Sequence, residues 1–138
     1  MDWRQEYSLG IAEIDTQHQR LLRQFTQIED AFRRGCSWTD THYLILDLIE
    51  FAKFHFEFEE ALMRLFAAPA TESHVAEHRQ FFIMLQEIEQ HSLNQAAETE
   101  MVEFLRSWLK NHILGSDRKY AAWILAGAKV VGGGPPVH

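Results

Sequence analysis

Four apolar helix stripes, each interrupted by histidine or carboxylate, constrain this chain more than any other feature of its sequence. Apolar residues recur at steps of three and four, which is the spacing of one buried face of a helix. The interruptions are His18, His55, Glu59, His74, His78 and His112, and Asp117 follows the last of them. Burying so many polar groups without partners would cost several kcal/mol per group. A bound metal cluster would turn that cost into bonds, so the pattern predicts a metal site.

The four stripes also predict the fold class. They lie at residues 14–32, 44–62, 74–88 and 101–112. Short polar connections separate them, which favours antiparallel neighbours, and there is no strand-like alternation of useful length. We therefore predict an all-α protein, an antiparallel up-down-up-down four-helix bundle with an N-terminal arm and a short C-terminal helix over residues 120–128.

Local signals predict where the helices begin and end. Asp15 could cap the first helix and Gly35 would end it. Ser37 and Asp40 stand at capping-box spacing ahead of the second helix. Pro69 is predicted to end that helix by denying it an amide.

Composition excludes several classes of protein. The formal net charge of −7 argues against a nucleic acid or an anionic membrane surface as partner. Residues 1–6 do not resemble a signal peptide, and no apolar run approaches the ~20 residues of a membrane span. The single cysteine, Cys36, cannot form an intrachain disulfide. We expect one cytoplasmic domain over residues 1–128, a flexible Gly/Pro tail over 129–138, and a monomer or weak oligomer.

Two pairs of candidate ligands have helical spacing. Residues four apart differ by about 40° around a helix and ~6 Å along it, so both side chains reach one point. His55 with Glu59, and His74 with His78, can each hold one site. An isolated pair of this kind is more often a surface pair or a solvated ion pair. Here every one of the four helices carries a ligand type inside its apolar stripe, which favours the metal site.

The last candidate pair does not have this spacing. His112 and Asp117 are five residues apart, about 140° around a straight helix, and would diverge. Gly115 lies between them. A helix that ends or distorts at Gly115 could swing Asp117 back toward the centre.

Other polar residues are predicted to lie outside the site. His42 falls off the second apolar stripe, His91 follows the last core position of the third helix, and His138 is the last residue of the sequence. Glu57 and Glu60 flank the second stripe and are predicted to form a solvated face.

The order and spacing of these residues resemble the hemerythrin family, and its bacterial members in particular. Residues 10–18 and 111–120 carry the resemblance most closely, and the match covers roughly residues 3–125 with all seven ligand positions filled. The chain departs from the family between residues 63 and 74, where no tyrosine precedes Pro69. That departure concerns the end of the bundle and leaves the ligands intact.

The resemblance implies a non-haem di-iron centre that binds O2 reversibly. By position, it assigns three histidines to one iron (His74, His78, His112), two to the other (His18, His55), and two bridging carboxylates (Glu59, Asp117). An oxo or hydroxo group would complete the bridge. The first iron then has six ligands and the second only five, which leaves one open position for O2.

The surroundings of the expected centre favour binding over turnover. The residues one turn from the ligands are apolar, namely Leu21, Phe51, Met63, Phe81 and Trp108, and Leu114 stands just past His112. By resemblance, Leu114 should face the open position. A dry apolar pocket of this kind favours reversible O2 binding, with azide and nitric oxide as further small ligands.

The expected function is therefore O2 binding for storage, delivery or sensing, without enzymatic turnover. Three alternatives stay open at this level. The first is a di-iron enzyme that reduces peroxide or nitric oxide or repairs iron centres. The second is a sensory module cut from a larger signalling protein, and the third is a structural bundle filled with zinc. Imidazole and carboxylate ligands also accept manganese.

Overall fold

The computed structural model describes residues 2–90 and 95–133 of the chain. A short 3-10 turn at Gln5–Tyr7 precedes the helices. The helices are α1 (Ala12–Arg33), α2 (Trp38–Leu65), α3 (Thr71–Gln90), α4 (Gln95–Asn111) and α5 (Arg118–Gly133), with a π-helical segment at His112–Asp117. Within the described residues there is no strand, and none of the helices is long and apolar enough to cross a membrane.

The four-helix bundle is confirmed. Each helix packs against the next in sequence, and α4 returns to pack against α1, so the four close into a ring. The N-terminal arm packs on this ring, where Tyr7 and Leu9 are buried. Arg118 donates a hydrogen bond to the backbone carbonyl of Glu6 and ties the arm to α5.

The C-terminal helix follows α4 without a loop. The π-helical segment joins α4 to α5 directly, so α5 continues α4 instead of forming a separate cap. Residues 134–138 of the predicted Gly/Pro tail lie outside the described residues, and the domain boundary at 128/129 stays a prediction.

Two sets of apolar side chains hold the bundle on either side of its middle. The larger cluster takes at least one fully buried residue from each of α1 to α4, among them Phe25, Leu48, Phe81 and Leu105. A smaller cluster near the other end includes Met63 and residues of α5. Truncating a core leucine or phenylalanine to alanine typically costs about 2–5 kcal/mol. The candidate ligands lie between these two clusters.

The predicted signals around the first loop are confirmed. Gly35 has a φ of +69°, and the amides of Gly35 and Cys36 donate to carbonyls of the last turn of α1, which is a Schellman ending. The Ser37 hydroxyl then accepts a hydrogen bond from the amide of Asp40 (3.2 Å) and caps α2.

Asp15 does not cap α1. The helix begins before it, at Ala12, and the Asp15 carboxylate accepts hydrogen bonds from the Leu9 amide (2.8 Å) and the Ser8 hydroxyl (2.5 Å). Asp15 therefore fastens the N-terminal arm to the first turn of the helix.

Pro69 does not end α2 either. The helix ends before the proline in a second Schellman arrangement, in which Ala67 has a φ of +51°. The Ala67 amide donates to Arg64 (3.2 Å) and the Ala68 amide donates to Met63 (2.8 Å). Because alanine rarely adopts a positive φ, the proline was the stronger signal in the sequence.

Candidate metal centre

All seven candidate ligands meet in the middle of the bundle. None is more than 6% exposed. Their ligand atoms form two groups, each with members within 4.8 Å of one another. One group holds Glu59, His74, His78, His112 and Asp117, and the other holds His18, His55, Glu59 and Asp117. Glu59 and Asp117 belong to both groups, so they lie between three histidines on one side and two on the other.

The Asp117 carboxylate presents one oxygen to each group. Its Oδ1 lies 2.9 Å from His74 Nε2 and 3.0 Å from His112 Nε2, whereas its Oδ2 lies 3.0 Å from His18 Nε2. A carboxylate with this geometry can bridge two cations.

Glu59 also contacts both groups. Its Oε1 lies 3.2 Å from His55 Nε2 and 3.3 Å from His78 Nε2, and its Oε2 lies 3.6 Å from His18 Nε2. As the spacing predicts, the side chains of His55 and Glu59, one turn apart on α2, reach one point.

The π-helical segment brings His112 and Asp117 together. A π-helix bonds residue i to residue i+5, so side chains five apart lie one turn above each other. The predicted distortion is therefore present. Gly115 lies inside the segment, but its φ is not positive and a Cβ there would meet nothing within 4 Å. The conformational freedom of glycine is not what permits the distortion.

The polar atoms of the centre suit cations. His18 Nδ1 and Nε2, His74 Nε2, Glu59 Oε1 and both Asp117 oxygens are buried without a hydrogen-bond partner, although several lie about 3 Å apart in ion-pair contacts. His78 Nε2 and His112 Nε2 face each other at 3.0 Å. Two imidazole lone pairs at that distance need a proton or a cation between them. Nitrogen and carboxylate donors together suit iron, zinc and manganese.

The pKa values of the candidate ligands favour the same conclusion. Burial lowers the pKa of His18, but contacts with Asp117 and Glu59 outweigh it and raise the pKa to about 9. The pKa of His112 rises to about 10 because Asp117 and Glu77 likewise outweigh burial. Burial raises the pKa of Glu59 and Asp117, yet the surrounding histidines hold both pKa values well below their usual range. Cations entering the centre would meet two carboxylates and displace protons from imidazoles.

Three residues outside the ligand set orient the imidazoles. His55 Nδ1–H donates to Gln17 (2.7 Å), His78 Nδ1–H to Glu60 (2.9 Å), and His112 Nδ1–H to Glu77 (2.8 Å). Each bond places the ring proton on Nδ1 and leaves Nε2 to face the centre. Glu77 also accepts a hydrogen bond from the Ser116 hydroxyl (2.6 Å).

These three partners were not predicted from the sequence, and the prediction for Glu60 was wrong. Glu57 is exposed as predicted, but Glu60 is mostly covered and bonds to His78. Each partner stands next to a candidate ligand in the sequence and contacts a different one in space. The available signal for such a partner was a polar residue next to a ligand in the sequence. Which imidazole that residue reaches depends on how the helices are rotated about their axes.

Tyr120 is a further polar residue that the sequence analysis did not place at the centre. Its hydroxyl donates a hydrogen bond of 2.5 Å to Glu59 Oε2, and its ring lies edge-on to His74. Burial, together with Glu59 and Asp117, raises the pKa of Tyr120, so the phenol keeps its proton.

Of the histidines left out of the site, His42 lies away from it as predicted. It is partly exposed and faces Glu89 (3.3 Å). His91 and His138 lie outside the described residues.

The five residues predicted to form the O2 pocket occupy different surroundings. Leu21 is buried in the large core cluster, and Leu114 packs against that cluster. The Phe51 ring is stacked near His55, at 6.5 Å between centroids. Trp108 stacks on His112, and Met63 lies with the small cluster. Trp108 and Met63 line separate cavities, so a shared O2 pocket stays a prediction.

The geometry of the centre agrees with what comparison of sequences finds. Residues 9–124 match the family described as the hemerythrin HHE cation binding domain. The chain belongs to the hemerythrin family. The bacteriohemerythrin of Clostridium acetobutylicum is 28% identical over 125 residues, which cover 86% of this chain and 96% of that protein. The bacteriohemerythrin of Stenotrophomonas maltophilia is 27% identical, with 90% and 81% covered. A hemerythrin-like protein of Naegleria gruberi is 29% identical, with 86% and 89% covered.

Proposed function

We propose that this hemerythrin binds O2 reversibly at a di-iron centre, for storage, delivery or sensing. The proposed ligands are His74, His78 and His112 for one iron, His18 and His55 for the other, and Glu59 and Asp117 between them. The observation that carries the proposal is the pair of overlapping ligand groups, which share both carboxylates but differ by one histidine. That inequality leaves the two-histidine side one protein ligand short.

Iron bound here would supply the electrons that O2 takes up on binding and a coordination position at which it can bind. The protein orients and covers the site. Gln17, Glu60 and Glu77 hold three imidazoles with Nε2 inward. Since Nδ1 is already engaged, these rings cannot turn without losing a buried hydrogen bond.

Aromatic rings cover the three-histidine side of the centre. Phe56 stacks on His78 with ring centroids 3.9 Å apart and an interplanar angle of 7°. Trp108 stacks on His112 at 4.3 Å and 16°. These contacts limit the motion of His78 and His112 and so help to keep both rings in a ligating orientation.

The decisive experiment records the optical spectrum of the fully reduced protein in the absence of O2, again in air, and again after O2 is removed under argon. We expect a charge-transfer band that appears in air and disappears under argon, with two irons per chain by elemental analysis. A band that does not reverse would overturn reversible binding. A metal content near one iron, or zinc in its place, would overturn the di-iron assignment.

Peroxide reduction is a second candidate, and Tyr120 is the observation that favours it. A buried phenol hydrogen-bonded to a proposed bridging carboxylate can hold a proton next to the reacting centre. Peroxide consumption by the iron-loaded protein, with ascorbate as electron donor, tests this candidate. Turnover that falls at least about tenfold in Tyr120→Phe, at unchanged iron content, would favour the enzyme. Absence of turnover in the unmodified protein would exclude it.

A further inference from the structure

A groove on the outside of the bundle leads to the candidate metal centre. It lies between α3 and α4, has a volume of about 510 Å³, and ends at His112, Glu77 and Ser116. We call it the α3–α4 groove. Small-molecule sites in proteins commonly have volumes of about 300–1,000 Å³. The groove is therefore large enough for an organic molecule and far larger than O2 requires.

The floor of the α3–α4 groove is apolar and aromatic. Met84, Phe104 and Trp108 line it. Met84 is 37% exposed, so part of its side chain is open to a ligand in the groove. A floor of this composition suits a planar aromatic molecule, because rings gain both apolar burial and stacking on Trp108.

The rim of the groove is polar but almost uncharged. Gln80, Ser107 and Asn111 line it, and all three are exposed. Glu77 is the acidic residue at the inner end, and its Oε2 already accepts hydrogen bonds from His112 and Ser116. No lysine or arginine belongs to the described lining. Amides and a hydroxyl suit carbonyl or hydroxyl groups of a ligand, whereas phosphate or carboxylate would find no cation.

The position of Trp108 gives the groove a connection to the centre. One face of the Trp108 ring lies nearly parallel to the His112 imidazole, at 4.3 Å between centroids. His112 Nε2 in turn points into the three-histidine group. A planar molecule stacked on Trp108 would therefore be at most one indole ring away from the proposed ligand His112, which lies at the inner end of the groove.

We propose that the α3–α4 groove binds a neutral planar aromatic quinol, whose electrons reach the centre through Trp108 and His112. The inference rests on the proposed function in one respect, because an O2-binding centre that has autoxidised holds ferric ions in need of electrons. A quinol loses two electrons and two protons as it becomes the quinone. Two electrons are the number needed to convert two ferric ions to ferrous ions, and the protons leave through the open mouth of the groove.

The binding test uses the full-length, iron-loaded ferric protein and tetramethylbenzoquinone as probe. This quinone has no free ring carbon for the Cys36 thiol to attack. Titration calorimetry should show binding of one quinone per chain. Ser107→Trp places a large ring at the rim and should weaken binding at least about tenfold. The matched control is Gln27→Trp, at an exposed position of α1 that lines a different groove. It should bind the quinone like the unmodified protein.

The electron-transfer test measures reduction of the ferric protein by tetramethylhydroquinone. The rate should saturate with quinol concentration in the unmodified protein and in Gln27→Trp. In Ser107→Trp it should be at least about tenfold slower, while dithionite reduces all three proteins equally. Equal iron content and melting temperature exclude a folding defect in the variant.

Either of two results would overturn the inference. One is the absence of stoichiometric quinone binding, or equal binding by Ser107→Trp. The other is a reduction rate that shows no saturation in the unmodified protein. Failure of reversible O2 binding would instead overturn the proposed function. The calorimetric result would still be valid, because quinone binding is measured without O2 binding.

Discussion

Replacing Ala67 with glycine should stabilise this protein. Ala67 has a φ of +51° at the end of α2, where its amide and the next one close the helix by donating to carbonyls of the last turn. The left-handed conformation costs an L-residue with a Cβ about 1–2 kcal/mol. Glycine removes that cost, but it adds about 0.5–1 kcal/mol of conformational entropy to the unfolded chain. Ala67 is exposed, so removal of its methyl group loses no packing. The expected net gain in the free energy of unfolding is about 0.5–1 kcal/mol.

A matched control makes the sign of this effect decisive. Ala76 is also exposed but lies inside α3, where the same substitution should lower stability by about 0.5–1 kcal/mol. Urea unfolding of the iron-loaded proteins, followed by far-ultraviolet circular dichroism, measures both changes. The free energy of unfolding should rise in Ala67→Gly and fall in Ala76→Gly, so the two variants should differ from each other by about 1–2 kcal/mol. If Ala67→Gly destabilises the protein as much as Ala76→Gly does, the left-handed ending of α2 is wrong.

Three further predictions concern the metal centre. Glu59→Ala should remove one proposed bridge and lower the iron content, whereas His42→Ala should leave iron content and spectrum unchanged; the reverse pattern would contradict the ligand set. If Leu114 covers the O2 site, Leu114→Ala should speed autoxidation and azide entry at nearly constant iron content. Stopped-flow measurements test this, and rates equal to those of the parent would show that Leu114 is only a packing residue. In the metal-free protein the pKa values of His18 and His112 are raised to about 9 and about 10, from about 6.5 in an unfolded chain. Their stabilising contribution is therefore complete below about pH 6.5 and is lost as pH rises through 9–10. The melting temperature of the metal-free protein should fall over that range while the iron-loaded protein changes less, and a rise would refute the assignment.

The helices and the set of converging residues could be predicted because both depend on simple periodicity. An apolar stripe fixes which face of a helix turns inward, and a histidine within the stripe must then point into the core. His55 and Glu59 required only the rule that residues four apart share a face. The end of α1 at Gly35 and the Ser37 cap were predictable for a similar reason, since each depends on residues close in sequence.

The register of His112 and Asp117 could be anticipated only in part. A spacing of five signals that a straight α-helix cannot place both side chains at one point. It does not say whether the helix ends, bends or takes a π turn. The sequence left open whether the helix ends or distorts at Gly115, and the chain keeps its helical direction and changes the hydrogen-bond pattern. The change satisfies the centre without exposing the backbone groups that a break would leave unpaired.

The partners of the imidazoles could not be assigned because they connect different helices. Glu60 stands next to Glu59 and Glu77 next to His78, yet the first bonds to His78 on α3 and the second to His112 on the π-helical segment. Neighbouring residues on a helix point about 100° apart, so a ligand aimed at the centre puts the next residue along the seam with another helix. At such a seam a carboxylate can be solvated or can reach across, depending on the rotation and separation of the two helices. Only the folded structure fixes those two quantities.

Placement of the ligands along the whole bundle makes the centre part of the fold as well as a site within it. The first three helices and the π-helical segment that continues α4 each supply at least one of the seven buried polar groups. Glu59 and Asp117 face ligands from several of these elements at once. Metal bound there would join all the helices through bonds to their inward faces. Without metal, the same helices must bring two carboxylates and several orphaned nitrogen atoms together. The apolar clusters on either side of the centre oppose that cost by holding the helices in place, and Phe56 of the larger cluster also packs directly on the ligand His78.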